Sequence, residues 1–175
     1  MLTVTVLNLE PTIAALARIP GAAQKALKTS ARKTLQSAKR EAVAKVKQRY
    51  TSPIGLFTSS LSLKTSASGG SIKSRGSKNP LEKFRATPAG RITQRGRYIH
   101  SEVVRGQGGL LKKAFRKSGG ASIYERLTAN RFPIKKLKSV AAPSMLNVAE
   151  VLEPVMQKIE TEFPMHFISA VSQFL

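Results

Sequence analysis

The chain of 175 residues contains no cysteine and no tryptophan, and it has only two histidines. Without cysteine there can be no disulfide bonds, thiol chemistry or thiolate metal sites. His100 and His166 lie far apart in the sequence, and the nine carboxylates are scattered singly. This spacing does not match a set of metal ligands. We therefore expect neither a metal nor any other cofactor.

Long apolar runs are also missing. No segment approaches the roughly 18 consecutive apolar residues that span a membrane. The first residues, MLTVTVLNLE, lack the basic stretch and apolar core of a signal peptide. We expect a soluble protein with no membrane partner, made in a reducing compartment or tolerant of one.

Recognisable catalytic and phosphate-binding patterns are absent. Glycine pairs at 69–70, 108–109 and 119–120 fall outside the patterns GxxxxGK[ST] and GxGxxG, so we interpret them as turns. His100 and Glu102 would share one face of a strand, but no nucleophile accompanies them, which favours a structural role. We predict that the protein is not an enzyme and has no small-molecule substrate.

Positive charge is what the chain has in excess. It carries 30 lysines and arginines against nine acidic residues, a net charge of +21. Residues 1–140 hold almost all of the cations, whereas residues 141–175 hold one lysine and four glutamates. Such a field attracts polyanions. The basic segments are interpreted either as solvated faces or as contacts with DNA or an acidic protein. Few aromatic residues are available to stack on bases.

The residue pattern predicts one α+β domain in three parts. Residues 1–50 form a strand and a long helix, residues 51–140 a strand-rich basic region, and residues 141–175 a C-terminal helix. The two long helices are expected to pack on one face of a small mixed or antiparallel sheet that carries long basic loops. Their apolar stripes predict the side chains of the core or of a subunit interface, and these are Leu35, Val46, Ile159, Phe163 and Phe167.

Finer predictions follow from local patterns. Residues 1–9 alternate like a strand, residues 10–18 favour a short helix, and the long helix should run from about Ala22 to Tyr50. In the middle of the chain we predict a turn at 52–55, a strand around Leu61 and Leu63, a mobile hairpin tip at 66–79, a strand at 80–84, a basic loop at 88–97 and a strand at 98–105.

At the C-terminus, Asn147 and Glu150 predict a capping box. Because proline disrupts helices, we expect a turn before Pro154, a main helix that starts there, and a kink near Pro164.

The stretch from Gly109 to Leu146 is the most informative part of the chain. It reads as a short amphipathic segment, a glycine break, a strand that ends in arginine, the sequence RFPIKKL, a loop with proline, and a methionine at the next helix start. This order resembles the C-terminal half of the phage minor tail protein Z family, the tail-completion proteins of long-tailed phages. The matching residues are Ala114, Phe115, Gly119, Gly120, Tyr124, Arg126, Phe132, Pro133, Ile134, Lys135, Leu137, Pro143 and Met145. The loop at Ser139–Ser144, SVAAPS, departs from the family's usual Gly-Pro-Ser type.

The resemblance implies a structural virion protein. Such a subunit would form an oligomeric ring at the head-proximal end of a phage tail, after assembly in the bacterial host cytoplasm. Its partners would be copies of itself and the neighbouring tail and neck proteins, with sequence-independent contact to packaged DNA as a further interaction. The alternative, suggested by charge alone, is a stand-alone nucleic-acid-binding protein, although none of the usual binding signatures is present.

Seven cations in two nearby stretches form the candidate contact site. A connection at Gly106–Gly109 would fold the stretches toward each other and create one basic patch for DNA phosphates or an acidic protein. The patch residues are Arg91, Arg95, Arg97, Lys112, Lys113, Arg116 and Lys117.

Overall fold

A computed structural model describes residues 2–3, 21–66, 68–91 and 97–173 of the chain. Within these ranges the protein has two long helices, two short ones and eleven short strands. The helices are α1 (Ala22–Arg49), α2 (Ile54–Thr58), α3 (Ala142–Leu146) and α4 (Ala149–Val171). The predicted α+β combination of two long helices with small sheets is confirmed.

The described strands form four small sheets, and every pairing in them is antiparallel. Their orders are β1-β3-β2, β5-β6-β7, β10-β9-β8 and β11-β4. The strands are β1 (Leu2–Thr3), β2 (Leu61–Ser66), β3 (Gly69–Ser74), β4 (Lys78–Pro80), β5 (Arg85–Thr87), β6 (Ile99–Val104), β7 (Gln107–Leu111), β8 (Ala114–Arg116), β9 (Ile123–Arg126), β10 (Ile134–Lys136) and β11 (Lys138–Ala141).

The two long helices form an antiparallel pair. Three polar contacts join the helices. The contact nearest the start of α4 is made by the C-terminal end of α1, and later contacts along α4 are made by earlier residues of α1. The three contacts are Arg49 Nη1 to Glu150 Oε1 at 2.6 Å, Lys158 Nζ to Glu41 Oε2 at 3.7 Å, and Thr34 Oγ1 to His166 Nδ1 at 2.9 Å. Of the two helices, α1 makes the main contacts with strands, against β2 and β3, and α4 packs chiefly along α1.

The predicted core side chains are all buried inside the chain. Leu35, Val46 and Ile159 belong to the main core, which both helices share with the strands. Phe163 and Phe167 form a smaller cluster with alanines from the first half of α1. The alanines leave room for the two rings, which stack with their centroids 6.2 Å apart. These five residues therefore pack within one subunit.

The segment predicted to be a mobile hairpin tip, residues 66–79, is instead largely ordered. Its residues 69–74 form strand β3, which pairs with β2 on one side and β1 on the other. Ile72 is buried in the main core. Gly70 lies so close to the Leu35 side chain that a Cβ there would collide with it. One buried isoleucine and backbone pairing order this strand although its other side chains are small or polar.

One further local prediction is wrong, and another is incomplete. Residues 80–84 do not form a strand but contain a 3-10 turn at Leu81–Lys83. Leu81 and Phe84 are buried as expected, and a turn of three residues places both on one side, whereas a strand would separate them. The predicted turn at 52–55 leads into helix α2, which buries Phe57 completely.

Helix α4 begins earlier than predicted and is continuous. Its N-cap is Val148, because Asn147 ends helix α3 and donates its backbone N–H to the Pro143 carbonyl at 3.1 Å. The predicted Asn147 capping box is therefore wrong. The predicted loop at 139–144 is also replaced, by the end of β11 and the start of α3.

Pro154 and Pro164 both lie inside α4, so the predicted main-helix start at Pro154 is wrong. Each proline leaves the carbonyl four residues earlier without its usual N–H partner. Those carbonyls belong to Glu150 and Glu160, which are both exposed. Water can hydrogen-bond to them, so the helix accommodates the prolines on its solvent side.

Several other predictions match the structure. Helix α1 and strands β2, β6 and β9 lie where the residue pattern placed them. The remainder of the predicted first strand, residues 4–9, and the short helix at 10–18 lie outside the described residues, as do residues 92–96 of the basic loop.

Candidate interaction surfaces

The predicted fold-back is present as the β6–β7 hairpin, but its turn lies at 105–106. Gly108 and Gly109 belong to strand β7, so their predicted place in a turn is wrong. Gly106 has a φ of 76°, in the left-handed region that glycine adopts without strain. The last strand pair at the open end is Ile99 with Leu111. Arg97, Lys112 and Lys113 follow directly beyond that pair and are exposed. We call these three cations the hairpin patch.

The other predicted patch residues differ in their placement. Arg91 is exposed in the loop after β5. Lys117 is exposed just after β8, and its Nζ lies 4.8 Å from the centroid of the Tyr124 ring, a cation–π contact. Arg95 lies outside the described residues.

Arg116 does not belong to an exposed patch, which corrects the prediction. It is only 5% exposed. Its guanidinium donates hydrogen bonds to the carbonyls of Pro88 (3.1 Å), Ala86 (3.5 Å) and Ala121. Burial lowers the pKa of Arg116, and the charge of Glu82 opposes that effect. Arg116 thus ties the end of β5 to the β8–β9 connection, and no partner can reach its charge.

Glu82 holds the same region together from the other side. It accepts a hydrogen bond from Ser122 Oγ at 2.9 Å and pairs with Lys136 Nζ at 2.6 Å. Burial raises the pKa of Glu82, but the hydrogen bonds from Lys136, its own backbone and Ser122 outweigh that effect, so the pKa is lowered overall. The carboxylate is therefore held in its charged form in the folded protein.

The outer side of α1 carries a second, larger basic surface. One side of this helix is covered by α4 and another by the β2–β3 sheet. Six exposed cations occupy the remaining side and extend over about 33 Å at 1.5 Å per residue. We call this surface the cationic face, and its residues are Lys25, Lys28, Arg32, Lys33, Arg40 and Lys47.

The cationic face was missed by the sequence-based site prediction. The lysines and arginines of this helix are visible in the sequence, but the predicted contact site was drawn only from residues 91–117. The signal that identifies the face is the position of Glu41, the only acidic residue of α1. Glu41 turns toward Lys158 of α4, which leaves the outer side without a carboxylate.

The outer side of α4 has the opposite character. Glu153 and Glu160 are exposed there. Further along the helix, Met165 and Ile168 are 55% and 66% exposed, although both are large and apolar. The four residues Glu153, Glu160, Met165 and Ile168 define what we call the acidic–apolar face.

Few of the cations that the structure describes are neutralised by a neighbouring carboxylate. Six ion pairs occur among the described residues, and they use five of the nine glutamates. None of these pairs involves a residue of the hairpin patch or the cationic face. Both surfaces therefore present their full charge to solvent.

A fourth exposed feature is the tip of the β9–β10 hairpin. Leu127 and Phe132 are 58% and 63% exposed at this tip. The guanidinium of Arg131 lies 5.8 Å from the Phe132 ring centroid. The tip closes through a hydrogen bond from the Leu127 N–H to the Pro133 carbonyl at 3.1 Å.

One small depression is formed by residues that the structure describes. A depression of about 220 Å³ between β3 and α3 is lined by Lys73, Arg75 and Asn147 among others, which is smaller than a typical ligand pocket. Among residues 21–66, 68–91 and 97–173, no three side chains are grouped as metal ligands. No helix in these ranges has the length and apolarity needed to cross a membrane.

Comparison of the chain with protein-family models, with curated proteins and with solved structures finds no match in any of the three.

Proposed function

We propose that this protein is a structural virion subunit, a tail-completion or neck protein that forms an oligomeric ring at the head-proximal end of a phage tail. The observation that carries the proposal is the order of features from Gly109 to Leu146, which resembles the minor tail protein Z family. In the structure these features are strands β8 to β11 followed by α3, which buries Met145.

The exposed charge suggests how such a subunit would work. In a ring, the hairpin patch and Arg91 would lie on a mating surface and contact an acidic protein of the neck or the tail. Contact of these cations with the backbone of packaged DNA is the second use of the same surface. Either contact is independent of DNA sequence, because it depends on charge and not on base edges.

The proposal is tested in the phage whose genome encodes the chain. A stop codon in place of Gln24 should yield filled heads and separate tails, and electron microscopy counts both. Antibody labelling should place the wild-type protein at the head-proximal end of the tail. Normal joined particles in the absence of the protein would contradict the proposal.

The role of the hairpin patch is tested separately. Replacing Arg97, Lys112 and Lys113 with serine should lower the yield of infectious particles while the purified subunit keeps its melting temperature. The matched control replaces Lys83, Lys135 and Lys138, three exposed lysines outside the patch, with serine and should leave the yield unchanged. Equal yields from both variants would show that the patch is a solvated face.

The second candidate function is a stand-alone nucleic-acid-binding protein, favoured by the unneutralised cationic face of α1. Size-exclusion chromatography at high salt, with and without duplex DNA, separates the two. Salt-resistant oligomers with weak DNA binding support the tail subunit. A monomer that binds DNA tightly, with an affinity that falls steeply as salt rises, supports the second function.

A further inference from the structure

We propose that the cationic face of α1 in one copy docks against the acidic–apolar face of α4 in the next copy. The inference rests on the proposed function, since it names the contact by which the subunits of a ring would join. The two faces lie on different helices of the same chain, so the contact is head-to-tail. Repeated head-to-tail contacts close into a ring when the rotation between copies allows it.

The occupant of the acidic–apolar face is a second copy because the charges are complementary. Glu153 and Glu160 are exposed, and neither forms an ion pair with another residue that the structure describes. They are seven residues apart, about two helical turns, and therefore lie on one side of α4. The cationic face offers six positive charges without an acidic neighbour on its own side. Complementary patches of this kind set the register and partner of an interface.

The apolar part of the α4 face also needs a cover. Met165 and Ile168 are three residues apart and adjacent on the helix surface. The aliphatic stems of lysine and arginine side chains cover apolar surface while their charged ends reach polar groups. A neighbouring cationic face would therefore bury both residues and pair its charges with the glutamates. DNA would satisfy the cations but would leave Met165 and Ile168 exposed.

The net charge of +21 makes whole subunits repel each other, whereas the two faces attract each other. The salt concentration decides whether the repulsion or the attraction is stronger. Repulsion between whole subunits acts over long distances and is mostly screened at about 0.15 M salt, where the Debye length is about 8 Å. Ion pairs at contact distance are screened less. Self-association should therefore strengthen as salt rises from low concentration, and burial of Met165 and Ile168 should maintain it at about 1 M, where the ion pairs are screened. A decrease from the lowest salt upward would be the behaviour of a contact bridged by a polyanion.

Charge-reversal variants test the contact directly. Variant one carries Lys28→Glu and Arg32→Glu on the cationic face, and variant two carries Glu153→Lys and Glu160→Lys on α4. Each variant alone sets like charges against each other, so its self-association, measured by sedimentation velocity, should weaken about tenfold or more. A mixture of the two should associate again, because both of its alternating contacts join opposite charges. A chain with all four substitutions should also associate by itself.

A control and the contrary outcomes complete the test. Lys83→Glu with Lys135→Glu changes the net charge as much as variant one does, at exposed positions outside both faces, and should not weaken association. Circular dichroism establishes that every variant is folded. Variants one and two associating as wild type does would overturn this interface but leave the ring intact. A wild-type protein that stays monomeric at all salt concentrations would also overturn the proposed interface. If variant one loses DNA binding while its self-association is unchanged, the cationic face binds DNA and not a second copy. Head–tail joining in the phage still decides the proposed function in each case.

Discussion

Replacing Arg116 with alanine should destabilise the fold and leave the binding of polyanions unchanged. The guanidinium donates to three carbonyls, those of Ala86, Pro88 and Ala121. Removing a charged donor costs about 1.5–3 kcal/mol for each good hydrogen bond. The bond to Ala86 is long, and water can enter the space that the side chain leaves, so the losses do not add fully. We expect a loss of about 3 kcal/mol in the free energy of unfolding.

That loss corresponds to a fall in melting temperature of roughly 6–12 °C for a chain of this size. Differential scanning calorimetry measures it, and a filter-binding assay with duplex DNA measures the affinity. Arg116→Lys keeps the positive charge but loses the planar set of guanidinium N–H donors, so its melting temperature should lie between those of the alanine variant and the wild type. Lys113→Ala is the control: its melting temperature should change little, and its DNA affinity should fall. The reasoning is refuted if Arg116→Ala keeps the wild-type melting temperature and binds DNA more weakly.

Other predictions concern the core, the acid response and the β3 strand. Leu35→Asp should cost several kcal/mol, because it buries a charge between α1 and β3, whereas Gln36→Asp on the exposed side should cost little; equal melting temperatures would contradict this packing. The pKa of Glu82 is lowered on folding, so its contribution to stability is present above its unfolded pKa and is lost as pH falls through the folded pKa. Glu82→Gln should therefore lose less stability than wild type between about pH 5 and 3 in acid-unfolding curves; an unchanged acid response would exclude that role. Trypsin should spare the bond after Lys73 in the folded protein because β3 is paired on both sides, and Ile72→Ser should expose it; rapid cleavage of the wild type there would show that the hairpin opens.

The long helices were predictable because their apolar residues recur at helical spacing over many turns. Leu35 and Val46 on α1, and Ile159 and Phe163 on α4, repeat often enough to identify each buried side. The exact start of α4 was not predictable from the same pattern. Asn147 has a side chain that can cap a helix N-terminus, but in the structure this residue ends α3. The sequence pattern alone does not show that the two helices compete for the same residue.

The formation of strand β3 and the burial of Arg116 could not be predicted from the local sequence. Only Ile72 in β3 is strongly apolar, so alternation could not be detected. The strand is ordered by pairing with its sequence neighbour β2 and, on the other side, with β1, which is distant in sequence. Arg116 stands beside three exposed lysines, Lys112, Lys113 and Lys117, and no local pattern separates it from them. Its burial depends on carbonyls contributed by β5 and by the β8–β9 connection.

The antiparallel pairing of α1 and α4 has a consequence for the order of folding. The two helices are separated by about a hundred residues, so we expect them to pair after the strands between them have brought Arg49 and Glu150 together. From that point the helices can pair one turn at a time, and each further turn loses only a small amount of chain entropy. The stacked rings of Phe163 and Phe167 lie at the other end of the helix pair, away from Arg49 and Glu150. We expect that end to form last and to open first, which hydrogen exchange along α4 would reveal as protection that declines from Glu150 toward Val171.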